Sequence, residues 1–82
     1  MKPKKTYDKI MSCRADSNIG FVDLQHLLSY LGFNCKNING DHFIYYYKDI
    51  PDNINIQPNG NKAKSYQIKQ IRNYLIKNNI SL

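Results

Sequence analysis

The sequence predicts an α+β domain with the element order α-α-β-β-β-α, in which helices pack on one face of a three-stranded antiparallel sheet. Leucines at helical spacing mark one amphipathic helix, and isoleucines mark another near the carboxyl end. Between these two helices, the apolar period changes from helical to two. The 82 residues contain no internal repeat or linker, so residues 1–82 are expected to form a single domain.

The amino-terminal part is predicted to form two helices. A short amphipathic helix over residues 4–13 is indicated by three apolar residues at positions i, i+3 and i+4. The second helix has Asp23 in its first turn, where a negative charge suits the helix dipole. Gly32 is expected to end this helix in the left-handed conformation. The apolar faces comprise Tyr7, Ile10 and Met11 in the first helix, and Leu24, Leu27, Leu28 and Leu31 in the second.

Three strands are predicted after Gly32. The first ends at the Asn39-Gly40 pair, which is a strong signal for a two-residue hairpin turn. The second strand covers residues 42–47, and the third covers residues 53–57. The Pro-Asn-Gly sequence that follows is expected to stop the third strand.

A third helix is predicted over residues 65–78. Ser65 can cap its amino terminus through the side-chain hydroxyl. Ile68, Ile71 and Leu75 form its inner stripe. Together with the leucine helix, it would cover one face of the sheet and leave the other face open.

The charge balance points to a polyanionic partner. Lys and Arg number 12 against six acidic residues, all of them Asp, which gives a net charge of +6. Such a surface suits nucleic acid, an acidic membrane face or an acidic protein. The 41% share of hydrophobic residues is too large for a disordered basic tail. No apolar stretch resembles an export signal or a membrane span, so we expect a cytoplasmic protein that does not associate with membranes.

No metal ion and no small-molecule cofactor are expected. The possible zinc ligands lack the short paired spacings that are typical of zinc sites, and no glycine-rich phosphate loop occurs. Two cysteines are also too few for a disulfide framework. The zinc ligands considered are Cys13, His26, Cys35 and His42.

His42 is the better of two histidine candidates for acid–base chemistry. It opens the second strand directly after a tight turn, near an edge of the sheet. His26 lies on the flank of the leucine stripe, where a structural or solvated side chain is the usual outcome. A packed or exposed polar role for His42 is the competing interpretation.

A basic cluster precedes and enters the last helix. Lys62 and Lys64 flank a helix amino terminus, where backbone N–H groups and the helix dipole favour a phosphate. Lys69 and Arg72 follow within the first two turns. The alternative is a solvated helix face. Together with the neighbouring run of three tyrosines, the cluster indicates binding of RNA or single-stranded nucleic acid.

Three blocks of sequence resemble the HicA family of toxin–antitoxin mRNA interferases. The resemblance covers about residues 18–78 and leaves residues 1–17 as an amino-terminal helical extension. It implies a fold like that of double-stranded-RNA-binding domains. The blocks are Leu31-Gly32-Phe33, Gly40 to Tyr45, and Ile54 to Pro58, and the run from Gly60 to Arg72 resembles one HicA subgroup.

The resemblance implies a metal-independent endoribonuclease that acts as the toxin of a type II toxin–antitoxin system, with a HicB-like antitoxin as partner. The catalytic histidine of the family, carried by a Gly-Ser-His block, aligns with His42, and Asp41 replaces the usual Ser. His42 would serve as general base towards the 2′-OH or as general acid towards the leaving oxygen. A non-catalytic RNA-binding module and a basic protein-interaction domain are the alternatives. The residues expected to bind RNA are Lys62, Lys64, Arg72 and Tyr46.

If His42 contacts RNA, the second strand has one acceptable orientation. Alternation places His42 and Tyr46 on the same face and Tyr45 on the opposite face. Periodicity alone does not decide which face is buried. We expect His42 to face outward, because a catalytic imidazole must reach its substrate.

Overall fold

The computed structural model describes residues 2–82, with residues 38 and 39 described for the backbone only; residue 1 of the predicted extension 1–17 lies outside the described residues. The elements confirm the predicted α+β class and the α-α-β-β-β-α order, with one small hairpin added before the last helix. In chain order they are α1 (Pro3–Met11), α2 (Phe21–Tyr30), β1 (Asn34–Asn39), β2 (His42–Tyr46), β3 (Asn53–Ile56), β4 (Pro58–Asn59), β5 (Lys62–Ala63) and α3 (Ser65–Lys77).

One hydrophobic core lies between the sheet and the helices. Strands β1, β2 and β3 form an antiparallel sheet in that order. The inner stripes of α2 and α3 pack against one face of this sheet, because both stripes and that face are apolar. The buried residues include Leu24, Leu27 and Leu28 from α2, Ile68, Ile71 and Leu75 from α3, and Tyr45, Ile54 and Ile56 from the sheet.

Helix α2 ends as the sequence predicts. Gly32 has a φ angle of +103°, which a residue with a side chain rarely adopts. The N–H of Gly32 donates to the carbonyl of Ser29 at 3.1 Å, and the N–H of Phe33 donates to that of Leu28 at 3.0 Å. This pair of bonds is a Schellman motif, and it turns the chain from the helix into β1.

The turn between β1 and β2 lies one residue later than the sequence predicts. Asn39 pairs with His42, so Gly40 and Asp41 form the two-residue loop. A register irregularity follows Asn37 and shifts the pairing by one residue. His42 is therefore the first residue of β2, directly after the turn.

The hairpin β4–β5 forms where the sequence predicts only a strand stop. Its turn contains Gly60, with a φ angle of +65°. The N–H of Ala63 donates to the carbonyl of Ile19 at 2.9 Å, and the N–H of Phe21 donates to that of Asn61 at 3.0 Å. The hairpin thereby joins the start of α2 to the start of α3.

The helices within residues 2–82 are short. The longest, α3, has 13 residues. None of them combines the length and the apolar character that crossing a membrane requires.

Candidate functional site

His42 lies on the open face of the sheet. Its side chain is exposed, as is that of Tyr46, whereas Tyr45 is only 2% exposed. Tyr45 pairs with Ile54 on β3, and both side chains enter the core. The expected orientation of the second strand is therefore confirmed.

The three consecutive tyrosines have different environments. Burial raises the pKa of Tyr45 to about 12, so its hydroxyl stays protonated at neutral pH. The Tyr47 ring meets the edge of Phe33, with their centroids 4.9 Å apart. Tyr46 is 42% exposed and faces outward, so it is the tyrosine of this run that can meet a ligand on the open face.

Gln57 connects His42 to Lys64. Phe43 pairs with Ile56, so Gln57, the next residue along, lies beside His42. The Gln57 Nε2 atom is 3.4 Å from the His42 Nε2 atom, a long hydrogen bond. The Lys64 Nζ donates to the Gln57 Oε1 at 3.3 Å.

These contacts assign a tautomer to His42. A lysine ammonium can only donate, so the carbonyl oxygen of Gln57 faces Lys64 and its NH₂ group faces His42. An amide NH₂ group also only donates, so the Nε2 of His42 is the acceptor in this contact. In the neutral ring this contact favours the tautomer with its proton on Nδ1.

A cavity of about 340 Å³ opens beside this group of residues. It lies where β2 begins, β3 ends and α3 makes its first turn. Tyr66, which is 55% exposed, forms one wall, and the buried Gln67 forms another. The Gln67 Oε1 accepts the backbone N–H of Gln57 at 3.2 Å, which fixes the end of β3 against α3.

The start of α3 lies next to Lys64. The residue that precedes the helix is Lys64, and no described side chain caps this end. The sequence predicts that Ser65 caps the helix, but Ser65 is instead the first helical residue. The helix begins one residue earlier than a Ser65 cap would require. The N–H groups of Ser65 and Tyr66 thus have no helical acceptor, and they follow Lys64 directly in the chain.

Lys62 lies on the same side of the chain as Lys64. Ala63, between them, is buried, while the two lysines are partly exposed. The Lys62 Nζ donates to the Oδ1 of Asn18. The lysine is therefore held near the start of α2, and among the described contacts none joins it directly to His42.

Arg72 does not belong to this site, which corrects the expected set of RNA-binding residues. It is only 8% exposed. Its guanidinium donates to both carboxylate oxygens of Asp16, at 2.9 and 3.0 Å, and to the carbonyl of Ile10 at 2.8 Å. The hydrogen bonds from Arg72 to the carboxylate lower the pKa of Asp16. Arg72 is thus fully engaged in joining α3 to the segment after α1.

The remaining candidate ligands are dispersed over the surface. His26 is exposed on α2, and Cys13 and Cys35 are free and exposed. Across residues 2–82, no group of three His, Cys or Asp side chains is close enough to hold a metal ion. Asp41 is exposed in the turn before His42, and within the same residues it makes no hydrogen bond or ion pair with the His42 ring.

The sequence does not indicate three of the residues that surround His42. Gln57 continues the outward-facing row of β3, but the length of the β2–β3 connection leaves its register with β2 open. Tyr66 and Gln67 come close to His42 only because α3 starts beside the end of the sheet. A correct register for β2 and β3 would have identified Gln57.

No protein-family model, no curated protein and no solved structure matches this chain. The relation to HicA interferases is therefore a resemblance carried by short sequence blocks. The geometry around His42 is the basis for a functional proposal.

Proposed function

We propose that this chain is a metal-independent endoribonuclease in which His42 is the general base. The observation that carries the proposal is the Lys64–Gln57–His42 chain of hydrogen bonds, which ends at a cavity on the open side of the sheet. It combines an exposed proton acceptor with a nearby positive charge. Cleavage of RNA requires few other groups from the enzyme, since the 2′-OH of the RNA is itself the nucleophile.

His42 would act on the ribose beside the scissile phosphate. The 2′-OH would replace the Gln57 NH₂ group at the His42 Nε2, which then takes its proton while the 2′-oxygen attacks the adjacent phosphorus. The bond from phosphorus to the 5′-oxygen breaks, and the leaving oxygen takes a proton from water. The products are a 2′,3′-cyclic phosphate and a 5′-hydroxyl.

Positive charge at the site would stabilise the phosphate as its negative charge develops. Lys64 is linked to His42 through Gln57, and the uncapped start of α3 and the ammonium of Lys62 would extend the positive surface. One general base contributes about 10² to 10⁴ in rate, so a slow enzyme is expected.

The open face of the sheet would hold the RNA strand on either side of the cut. Tyr46 lies four residues from His42 on the same face, about 13 Å along the strand. Its exposed ring can stack on a base. Asn53 and Asn55 on β3 pair with Tyr46 and Ile44, so their exposed amides line the same face.

The proposal includes the biological role that the HicA resemblance implies. The protein would be the toxin of a type II toxin–antitoxin system, acting on mRNA in the cytoplasm. A HicB-like antitoxin would cover the basic surface with an acidic one, and the net charge of +6 favours that pairing.

The chemistry can be tested with one strand in three forms: RNA, DNA and 2′-O-methyl RNA, each in excess EDTA. We expect cleavage of the RNA alone, with a 2′,3′-cyclic phosphate on the product, because the other two strands lack a free 2′-OH. Cleavage of DNA, or RNA products that carry a 5′-phosphate, would contradict the proposal.

A non-catalytic RNA-binding module is the second candidate, and the amide-lined open face favours it. The same experiment separates the candidates when binding to the 2′-O-methyl strand is measured alongside cleavage. Binding without cleavage of RNA would identify the module. If the protein neither binds nor cleaves RNA, a basic protein-interaction domain would be the remaining candidate.

A further inference from the structure

We propose that the cavity beside His42 binds one nucleobase and selects bases that carry a carbonyl oxygen at the O4 position of uracil or the O6 position of guanine over bases that carry an amino group there. This inference rests on the proposed function, because it places the base next to the phosphate on which His42 acts. It assigns a specificity role to Gln67 and a stacking role to Tyr66. The two bases favoured are uracil and guanine.

The size and the walls of the cavity suit a flat ring. Its volume of about 340 Å³ is at the lower end of the range for small-ligand sites, about 300 to 1,000 Å³. The half-exposed ring of Tyr66 offers a stacking surface, while Phe43 and Ile56 add apolar surface to the lining. An aromatic ring of this kind can stack on any base, so Tyr66 contributes affinity without selectivity.

Gln67 supplies the selectivity. It is only 4% exposed, and its Oε1 accepts the backbone N–H of Gln57. The amide is thereby held in one orientation, with its NH₂ group as the remaining polar group. Within residues 2–82 this NH₂ group has no hydrogen-bond partner, yet it is not sealed from solvent, and the residue lines the cavity.

A fixed NH₂ group distinguishes bases by the group they present. The O4 of uracil and the O6 of guanine accept a hydrogen bond, whereas cytosine and adenine have an amino group at the same position. An amino group facing the Gln67 NH₂ group would lose the hydrogen bond, which reduces affinity about tenfold. The amide of Gln57 does not compete, because Lys64 and His42 occupy both its ends.

The test measures the affinity of the full-length protein for 2′-O-methyl hexamers of uridine and of cytidine by fluorescence anisotropy. These strands cannot be cleaved, and their bases differ at the position that Gln67 would read. We expect the uridine hexamer to bind about tenfold more tightly. Equal affinity of the wild-type protein for the two hexamers would overturn the proposal.

Two variants test which residues of the cavity cause the preference for the uridine hexamer. Gln67→Glu keeps an acceptor for the Gln57 N–H but offers an acceptor to the base, so at about pH 8, where the carboxyl is ionised, cytidine should bind better. Tyr66→Ala should weaken the binding of both hexamers about tenfold and leave the ratio of their affinities unchanged.

An unchanged preference for uridine in a folded Gln67→Glu protein would overturn the assignment to Gln67. If that variant does not fold, a Tyr66→Ala protein that binds both hexamers as tightly as the wild type would overturn the cavity as the binding site.

The base site and the nuclease can fail separately. A uridine preference without cleavage of unmodified RNA would refute the proposed function and support the base site. Cleavage of RNA without any base preference would do the reverse.

Discussion

Gln57 determines the resting state of His42, since the two residues share a hydrogen bond and Lys64 fixes the direction of the Gln57 amide. The carboxamide cannot rotate without placing its NH₂ group against an ammonium. In the neutral ring this contact favours the tautomer that keeps a lone pair on Nε2, the atom that a general base would use. Gln57 is a positioning residue, because it acts through His42.

Gln57→Leu should lower kcat for RNA cleavage about tenfold, with little change in KM or in thermal stability. The leucine removes one hydrogen bond to the ring and frees Lys64, so the base is less often in the productive tautomer. The measurement is a set of steady-state rates with a pH–rate profile. The profile should change shape as well as height, which a purely structural defect would not produce.

Asn73→Leu is the matched control. Asn73 is exposed on α3 and does not line the cavity beside His42. Its kcat should equal that of the wild type. A Gln57→Leu protein with wild-type kcat and an unchanged pH profile would contradict the role of Gln57.

Among the elements, α3 is joined to the amino-terminal segment by the Arg72–Asp16 ion pair. Both side chains are largely buried, with exposed fractions of 9% and 19%. The hydrogen bonds from Arg72 lower the pKa of Asp16, so the folded state favours the ionised carboxylate. The pair contributes stability at pH values above the ordinary Asp pKa of 3.8, and this contribution is lost as the pH falls through the lowered value.

Asp16→Asn should reduce the free energy of unfolding by about 3 kcal/mol near neutral pH, because it leaves a buried guanidinium without its counter-charge. Urea denaturation at about pH 7 and about pH 3 would measure the difference from the wild type, which should shrink at the lower pH. Asp8→Asn is the control, since Asp8 pairs with Lys4 on the exposed surface of α1 at 3.5 Å. It should cost less than about 1 kcal/mol. An equal effect of the two variants would contradict this account.

The helices and the three-stranded sheet are predictable because their signals are local and periodic. The leucine stripe of α2 and the glycine that ends it lie within nine consecutive residues, 24–32. The hairpin β4–β5 has no such signal, because strands of two residues are too short to show alternation. Its stability depends on hydrogen bonds to Ile19 and Phe21, which are distant in sequence.

Over the whole molecule, the open sheet face and the basic start of α3 form one continuous surface around His42. Helices cover the opposite face, so a strand of RNA can lie across the sheet without displacing core residues. Lys62 and Lys64 border this surface on the α3 side. Their charges would act on phosphates, which every RNA sequence carries.

Reversal of both lysines to Glu should weaken RNA binding for all sequences alike. The slope of log affinity against log salt should fall by about 1.4, since each phosphate contact on a single strand adds about 0.7. Titrations of a 2′-O-methyl strand at several salt concentrations would measure this slope without interference from cleavage.

Reversal of Lys4 and Lys5 on α1 is the matched control. Each Lys→Glu exchange removes two units of charge, so both double variants carry +2 rather than +6. The α1 lysines are exposed but lie outside the surface around His42. If both double variants lowered the slope equally, net charge alone would explain binding, and the assignment of Lys62 and Lys64 would be wrong.

The location of His42 is predictable from sequence, whereas its surroundings are not. A turn followed by a strand is a local pattern. Alternation leaves two orientations of the second strand, with His42 outward or inward, and the need of an imidazole to reach its substrate favours the outward one. Gln57 contacts His42 through the register of two strands, and Gln67 lines the same cavity through the placement of α3; no local pattern encodes either arrangement. For Arg72 the sequence predicts an RNA contact, whereas the structure shows a buried ion pair. A count of charges cannot reveal its partner Asp16, which is 56 residues away.

The most direct test of the central claim is RNA cleavage in excess EDTA by three proteins: the wild type, His42→Ala and His26→Ala. His26 is the other histidine and is exposed on α2, away from the cavity. The account predicts that the wild type and His26→Ala cleave at the same rate, while His42→Ala is at least about 10²-fold slower and still folded. Undiminished cleavage by His42→Ala, or loss of wild-type cleavage in EDTA, would contradict a metal-independent nuclease based on His42.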